Sequence, residues 1–192
     1  MVNIVTDKDL IWETEKHDVI LVGTSIYCML GAGFQSKMRF KYPFLDTEND
    51  KTPYGDLRKL GKRLTMTTDG NPIISLMYIC GYPRTNRITV DYKALEQCFL
   101  TANAEFSGKN VATTIVGASI FDGNGDRDKC LYIITKSTPD INLTLYDYVQ
   151  KQHKEEVKAF EKYINSFKRR DKEKYNYLIE NKDEELKKLY LK

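Results

Sequence analysis

Hydrophobic residues within residues 1–148 follow two different spacings. Short runs of aliphatic and β-branched residues are typical of buried strands, whereas apolar residues at i, i+3 and i+4, as in Leu95, Cys98 and Phe99, are typical of a helix lying on a sheet. The pattern predicts strands at 3–5, 18–24, 73–80, 111–116 and 141–146, and helices at 34–42, 54–62, 92–103 and 126–135. This alternation predicts an α/β sandwich. The Asp-Gly-Asn-Pro sequence at 69–72 predicts the tip of a hairpin, and 81–86 a loop.

The pattern changes in residues 149–192, which contain no glycine or proline and are rich in charge. Apolar residues recur there at helical spacing, so we interpret this segment as one long or two shorter amphipathic helices, with any break near 169–171. Two roles stay open for this extension, namely packing on the domain with a solvated charged face, or contacting a protein partner or RNA. The two apolar stripes consist of Val157, Phe160, Ile164 and Phe167, and of Tyr175, Leu178, Leu186 and Leu189.

The length of 192 residues suits one domain of about 150 residues with an extension. No apolar run approaches the ~20 residues that span a bilayer, and the N-terminus lacks the features of a secretion signal, so we expect a soluble, cytoplasmic protein without membrane contact. Four widely spaced cysteines and two histidines predict reduced thiols rather than disulfides or a metal site. Thirteen of the 30 Lys and Arg lie in residues 149–192. The body therefore has no basic excess, and nucleic acid is not the expected partner.

Two glycine-containing loops carry the candidate chemistry. Gly31, Ala32, Gly33 and Phe34 follow a predicted strand and open a predicted helix, an arrangement in which backbone N–H groups and the positive helix end bind anions. A Gly-Ala-Gly turn is also a common way to leave a strand. The second loop, Gly117–Gly125, again follows a β-branched strand and precedes a helix, and two such loops at one sheet edge could hold a diphosphate.

Four segments, in this order and spacing, resemble the macrodomain family of ADP-ribose-binding modules. They are most similar to the branch that contains terminal ADP-ribose glycohydrolases and ADP-ribose-1″-phosphate phosphatases, in a divergent form typical of phages and bacteria. The resemblance implies a three-layer α/β/α domain with a central mixed sheet over residues 1–148, followed by the helical extension. The four segments are Lys8-Asp9-Leu10, Ser25–Phe34, Tyr92–Phe99 and Gly117–Ile134.

The resemblance also implies roles for individual residues. Asp9, with Leu10, would accept a hydrogen bond from the adenine amine, although Asp9 could instead cap a turn. Ser25 would lie near the distal ribose, which Phe121 would cover unless that side chain is a core aromatic. Phosphate-binding backbone would come from Gly31, Ala32, Gly33 and Phe34 in the first loop and from Gly117, Ala118, Ser119, Ile120, Phe121 and Gly123 in the second.

Catalysis is where the sequence departs from the family. Hydrolases of this branch use a lysine after the middle strand, but residues 79–83 read Ile-Cys-Gly-Tyr-Pro. Asp122 is the candidate general base toward water, and Asp126 is a second candidate that we interpret more readily as a helix N-cap. The expected activity is metal-free, cofactor-independent hydrolysis of ADP-ribose-1″-phosphate or of an ester-linked ADP-ribose.

The alternative is a non-catalytic module that binds an ADP-ribose-like nucleotide while the tail binds a protein partner. Arg127, where the family usually has tryptophan, is a further departure. We interpret Lys37, Arg39 and Lys41 as a solvated basic face rather than as part of a site.

Overall fold

A six-stranded mixed sheet forms the centre of the computed structural model, which describes residues 2–31, 33–67, 70, 72–81, 87–119, 122–147, 165 and 172–180. The strand order is β1-β6-β5-β2-β4-β3, and every neighbouring pair is parallel except the antiparallel pair β3 and β4. The strands are β1 (Val2–Val5), β2 (Val19–Ser25), β3 (Arg63–Met66), β4 (Ile73–Cys80), β5 (Asn110–Thr114) and β6 (Asn142–Tyr146). The helices are α1 (Gly33–Lys41), α2 (Phe44–Asp50), α3 (Tyr92–Glu105), α4 (Arg127–Lys136) and α5 (Lys172–Glu180), with 3-10 turns η1 (Leu10–Trp12), η2 (Thr14–Lys16) and η3 (Leu57–Lys59).

Helices cover both faces of the sheet and give it two hydrophobic cores. Alternate residues of β2 point to opposite faces, so Val19 and Leu21 lie in one core and Ile20 and Val22 in the other. The first core is completed by α3 and α4, and the second by η1, α1 and α2. The predicted three-layer α/β/α architecture with a mixed sheet is therefore confirmed.

Strand β2 sets the position of the candidate site. All seven of its residues are buried, as expected for a central strand whose two faces are both covered. It runs parallel to β5, with Val19 opposite Val111 and Ile20 opposite Ala112. Because parallel neighbours end at the same edge of a sheet, the loops that follow β2 and β5 leave the sheet side by side.

The predicted helix at 54–62 is wrong. Only the short turn η3 forms there, because Gly55 and Gly61 have φ angles of +69° and +79°, which an α-helix does not contain. The sequence analysis also missed the edge strand β3 and the helix α2. Because β3 pairs antiparallel with β4, residues 67–72 connect the two strands of a hairpin, as predicted. Residues 68, 69 and 71 of this connection lie outside the described residues. Residues 82–86 of the loop predicted at 81–86 also lie outside them.

The chain divides into two units, Met1–Tyr148 and Val149–Lys192. In the second unit the structure describes residue 165 and α5, in which Tyr175 is half-buried and Tyr177 is exposed. The apolar stripe of Val157 and its partners, the side chains of Leu178, Leu186 and Leu189, and the break near 169–171 all lie outside the described part, so the partner-binding role stays a prediction. No helix in the described residues is long and apolar enough to cross a membrane.

A close approach over Gly23 joins β2 to the loop that follows β5. A Cβ atom built on Gly23 would lie 2.3 Å from Val116 Cγ1 and 3.2 Å from Ile79 Cδ1, so only glycine leaves room for Val116 at this point. Val116 is itself buried in the first core. The start of the second loop is therefore packed directly on the backbone of β2.

We expect Gly23→Ala to lower the free energy of unfolding by about 1–3 kcal/mol, because the new methyl group displaces Val116. The measurement is urea denaturation of Gly23→Ala, Val116→Ala and the double variant. Val116→Ala should lower the free energy of unfolding less in the Gly23→Ala background than in the parent, since it removes the clash between the new methyl group and Val116. Gly81→Ala, where a Cβ meets no atom within 4 Å, is the control. Additive effects of the two substitutions would contradict the packing argument.

Candidate functional site

The first loop links β2 to α1 and leaves open space around Gly31. A Cβ on Gly31 would meet nothing within 4 Å, and Gly31 is exposed. Gly33 has φ +59° and begins α1, so its backbone takes a conformation that disfavours other residues. Ala32 lies outside the described residues. The structure therefore places open backbone beside the N-terminus of a nine-residue helix.

Hydrogen bonds hold the start of this loop against neighbouring elements. The Ile26 amide donates to the Cys80 carbonyl at the end of β4, at 3.0 Å, and the Ile26 carbonyl accepts from the Gly55 amide, also at 3.0 Å. Thr24 Oγ1 donates to the Met29 carbonyl at 3.1 Å. Ser25 is buried, and its Oγ accepts from the Tyr27 amide at 3.3 Å. The Ser25 hydroxyl thus accepts a hydrogen bond from within the loop, and the ribose contact that the family resemblance implies stays a prediction.

Asp9 lies at the turn that follows β1, and both of its carboxylate oxygens have partners. Oδ1 accepts from the Ile11 amide at 3.2 Å, which caps η1, and Oδ2 lies 2.5 Å from Lys37 Nζ on α1. The alternative of a turn cap is therefore observed. The ion pair also brings Asp9 next to the helix that begins at the first loop. Leu10 is buried in the second core, as is Phe34, so only the backbone of either residue is available to a ligand.

The basic residues of α1 are all paired, which corrects their interpretation as a solvated face. Lys37 contacts Asp9, and Arg39 Nε lies 3.4 Å from Asp46 Oδ2. Lys41 Nζ donates to Thr14 Oγ1 at 2.8 Å and to Glu15 Oε1 at 3.0 Å. These contacts tie α1 to η1, η2 and α2.

The second loop is closed by its own hydrogen bonds. The Ser119 amide donates to Asp122 Oδ1 at 2.8 Å, the Asn124 amide to the Ser119 carbonyl at 2.7 Å, and the Gly125 amide to the Gly117 carbonyl at 2.7 Å. Ala118 is half-buried. Ile120 and Phe121 lie outside the described residues, so the predicted cover of the ribose stays a prediction.

The glycines of the second loop pack against Val90, a residue that the sequence analysis did not single out. A Cβ on Gly117 would lie 3.0 Å from Val90 Cγ2, and one on Gly123 would lie 2.6 Å from Val90 Cβ. The Gly123 carbonyl accepts from the Thr89 and Val90 amides at 2.7 and 3.0 Å. Packing on Val90 therefore accounts for glycine at 117 and 123, and their contact with phosphate stays a prediction. Nothing local in the sequence marks Val90, since its partner loop lies about 30 residues further along the chain.

Comparison with known structures decides the fold. The macrodomain of Mycobacterium tuberculosis DarG superposes with a TM-score of 0.59 at 13% identity, covering 76% of this chain and 97% of the other. The Trypanosoma brucei macrodomain in complex with ADP-ribose superposes with a TM-score of 0.55 at 13% identity, covering 80% of this chain and 66% of the other. The chain has the macrodomain fold. Thermosipho africanus DarTG in complex with ADP-ribose superposes with a TM-score of 0.58 at 12% identity, covering 75% of this chain and 41% of the other. No protein-family model and no curated protein matches the sequence.

Burial governs the ionisation of Asp122 in the second loop. The carboxyl is 8% exposed, and burial raises its pKa to about 7 from an ordinary value of 3.8, although hydrogen bonds from the Gly117, Ser119 and Asp122 amides oppose the shift. The thiols of Cys80 and Cys130 are near Asp122 and would affect its pKa only as thiolates. Burial raises the pKa of each thiol to about 12, so both stay neutral near pH 7. Asp122 therefore changes charge near neutral pH inside the second loop.

The other catalytic candidate, Asp126, caps α4. Its Oδ1 accepts from the Lys129 amide at 2.7 Å, and its own amide donates to Tyr92 Oη at 2.8 Å. This is the N-cap role that the sequence favoured. Arg127, at the usual tryptophan position, pairs with Asp147 at 2.7 Å. In the described residues no group of three His, Cys, Asp or Glu side chains is placed to hold a metal ion.

The stability of the folded protein should depend on pH through Asp122. Because the folded pKa of about 7 lies above the ordinary value of 3.8, the folded state holds the proton more tightly, and this stabilisation is complete below about pH 4 and lost as pH rises to about 7. Asp122→Asn keeps an oxygen that can accept from Ser119 but does not titrate. We therefore expect the free energy of unfolding of the parent, relative to Asp122→Asn, to fall between pH 4 and 7.

Urea denaturation of both proteins at unit pH steps from 4 to 8 checks this expectation. Other carboxyl groups titrate in the same range, but they are common to both proteins and cancel in the difference. A difference that stays constant or grows with pH would show that Asp122 is not held in its protonated form by burial.

Proposed function

We propose that residues 1–148 bind ADP-ribose or a closely related nucleoside diphosphate at the sheet edge where the loops after β2 and β5 lie side by side. The observation that carries this proposal is the open first loop at the N-terminus of α1, in a fold shared with two proteins solved in complex with ADP-ribose. The first four N–H groups of a helix have no intrahelical acceptor, and a phosphate satisfies them while meeting the positive end of the helix dipole.

The first loop supplies the clearest place for the diphosphate. Open space around Gly31 lets phosphate oxygens approach the backbone, and the positive φ of Gly33 allows successive amides to converge. The side chain of Phe34 is buried beneath them and fixes the first turn of α1 on the second core. Gly31, Ala32, Gly33 and Phe34 therefore bind through their main chain.

We propose that Asp9 lies at the end of the binding site that receives the adenine base. A carboxylate can accept about four hydrogen bonds, so the contacts with Ile11 and Lys37 leave capacity for an exocyclic amine. Lys37 also holds Asp9 beside α1, which supports a binding mode in which the base and the diphosphate lie along one helix. The backbone of Leu10 lies next to this carboxylate in the same turn.

The second loop contributes only after a local change. The Ser119 amide already donates to the Asp122 carboxylate, which occupies the position that an incoming phosphate oxygen would take. Binding of a phosphate to Ser119 therefore requires Asp122 to turn away. We propose that the first loop provides most of the affinity and that the second loop, from Gly117 to Gly123, closes on the ligand at an energetic cost.

Gly31→Glu tests the proposed site. A Cβ atom at this position meets no neighbouring atom within 4 Å, so we expect the variant to fold, while the added carboxylate repels the diphosphate. We expect calorimetric titration with ADP-ribose to show affinity reduced by more than about tenfold, which is about 1.4 kcal/mol. Leu100→Glu, an exposed position on α3, is the matched control. Unchanged affinity in Gly31→Glu would place the ligand elsewhere, and no binding by the parent protein would overturn the proposal.

Hydrolysis is a second candidate because of the carboxyl group of Asp122. A general base works best when its pKa lies near the working pH, and burial raises the pKa of Asp122 to about 7. In this version Asp122 leaves the Ser119 amide, accepts a proton from water and directs that water to the ADP-ribose derivative. The alternative of a non-catalytic module that only binds the nucleotide is favoured by two observations. No lysine occurs at 79–83, and Asp122 contacts the Ser119 amide within its own loop.

Turnover assays on ADP-ribose-1″-phosphate and on an ADP-ribosylated glutamate separate the two candidates. If Asp122 is the base, Asp122→Asn should lower kcat/KM by about 100-fold or more while ADP-ribose still binds. Asp126→Asn, which keeps a capping oxygen on α4, should retain activity. Binding without turnover by the parent protein would establish the non-catalytic alternative.

A further inference from the structure

A buried lysine lies behind the first loop without a carboxylate partner. Lys59, at the end of η3, is 6% exposed, and its Nζ donates to Thr52 Oγ1 at 2.7 Å and to the Ile26 carbonyl at 3.1 Å. The same Nζ lies 3.0 Å from Cys28 Sγ. Within the described ranges of the chain, no Asp or Glu oxygen lies within 4 Å of it.

A buried ammonium is costly unless an opposite charge accompanies it. Of the groups around Lys59, the Thr52 hydroxyl and the Ile26 carbonyl stay neutral. Lys59 Nζ also lies 4.1 Å from the centroid of the Tyr78 ring, but burial raises the pKa of that phenol to about 12, and its hydroxyl donates to Asn49 Oδ1. The thiol of Cys28 is the remaining neighbour that can become an anion.

Cys28 differs from the other cysteines in access and in backbone conformation. It is half-buried, whereas Cys80, Cys98 and Cys130 are buried, and burial raises the pKa of each of those three thiols to about 12. Its φ angle is +56°, an uncommon conformation for a residue other than glycine. The fold therefore holds one accessible thiol against one buried cation, and the thiolate is the reactive form of cysteine.

We propose that Cys28 and Lys59 form a thiolate–ammonium pair and that Cys28 is a modification site for peroxides and small electrophiles. With hydrogen peroxide, the sulfur attacks one oxygen, an S–O bond forms and the O–O bond breaks. Sulfur loses two electrons, and the leaving hydroxide takes up a proton to become water, which leaves a sulfenic acid on Cys28. This site goes beyond nucleotide binding and does not depend on it.

Oxidation would remove the negative charge beside Lys59. The ammonium would then keep only neutral acceptors, including the Ile26 carbonyl, which also accepts from Gly55. Because these contacts hold residues 26–28 to the segment 52–59, we expect the modified protein to lose stability in the first loop. Thermal unfolding of the peroxide-treated protein should therefore begin at a lower temperature.

The test is competitive labelling of the reduced full chain with limiting iodoacetamide at pH 7, followed by peptide mapping. We expect Cys28 to react about tenfold faster than the same residue in the urea-unfolded chain, since an ordinary thiol is only a few per cent ionised at this pH. Peroxide in the presence of dimedone should place the sulfenic acid adduct on Cys28 and leave the three buried cysteines unmodified.

Variants of Lys59 show whether the pair is responsible. Lys59→Met removes the charge and should reduce the rate at Cys28 to that of the unfolded chain, whereas Lys59→Arg keeps the charge and should retain fast labelling. Lys62→Met, at an exposed position three residues away, should leave the rate unchanged. Cys28 reacting no faster than in the unfolded chain, or equally fast in folded Lys59→Met, would overturn the proposal. If Lys59→Met does not fold, Lys59→Arg decides, because slow labelling in that folded variant also overturns it.

Discussion

Contact between β2 and the chain that follows β5 determines where the candidate site can form. The parallel ladder between these strands pairs Val19 with Val111 and Ile20 with Ala112. Toward the loops the contact continues through Thr113 Oγ1, which donates to the Leu21 carbonyl at 2.9 Å, and then through Val116 over Gly23. This hydrogen bond and the absence of a side chain at Gly23 thus hold together two segments that are distant in the chain and that we propose bind one ligand.

Several amides in the described part of the second loop already have acceptors inside the loop, which affects both proposed activities. The Ser119 amide donates to the Asp122 carboxyl group, and the Asn124 and Gly125 amides donate to loop carbonyls. A phosphate that bound to Ser119 would have to displace the Asp122 carboxyl group, which would lower the net affinity. The same contact would keep Asp122 from acting as a base until the loop rearranged. Under the proposed function, the contribution of this loop to binding and any catalysis would both require Asp122 to move.

Much of the fold follows from local sequence because strands β2, β4 and β6 and helices α1, α3 and α4 have strong periodicity. The predicted helix at 54–62 failed because Gly55 and Gly61 take positive φ angles, which apolar spacing does not reveal. Strand β3 was missed since it lies at the edge, where only Met66 of its four residues is buried.

The site was predictable only in part, for similar reasons. The two loops and the capping role of Asp126 follow from residue type and position. The contacts of Val90 with the second loop, of Lys37 with Asp9 and of Lys59 with Cys28 join residues far apart in the chain. Such contacts are set by the packed fold, so no single segment of sequence could indicate them.

Trp12, the only tryptophan of the chain, is 81% exposed at the end of η1, three residues after Asp9. Its indole lies in water in the folded protein as it does in an unfolded chain, so its fluorescence changes little when the sheet melts. If a nucleobase binds beside Asp9 as proposed, it lies near a turn that carries this indole three residues away. The emission of Trp12 would then be a natural optical signal for nucleotide binding, largely separate from global unfolding.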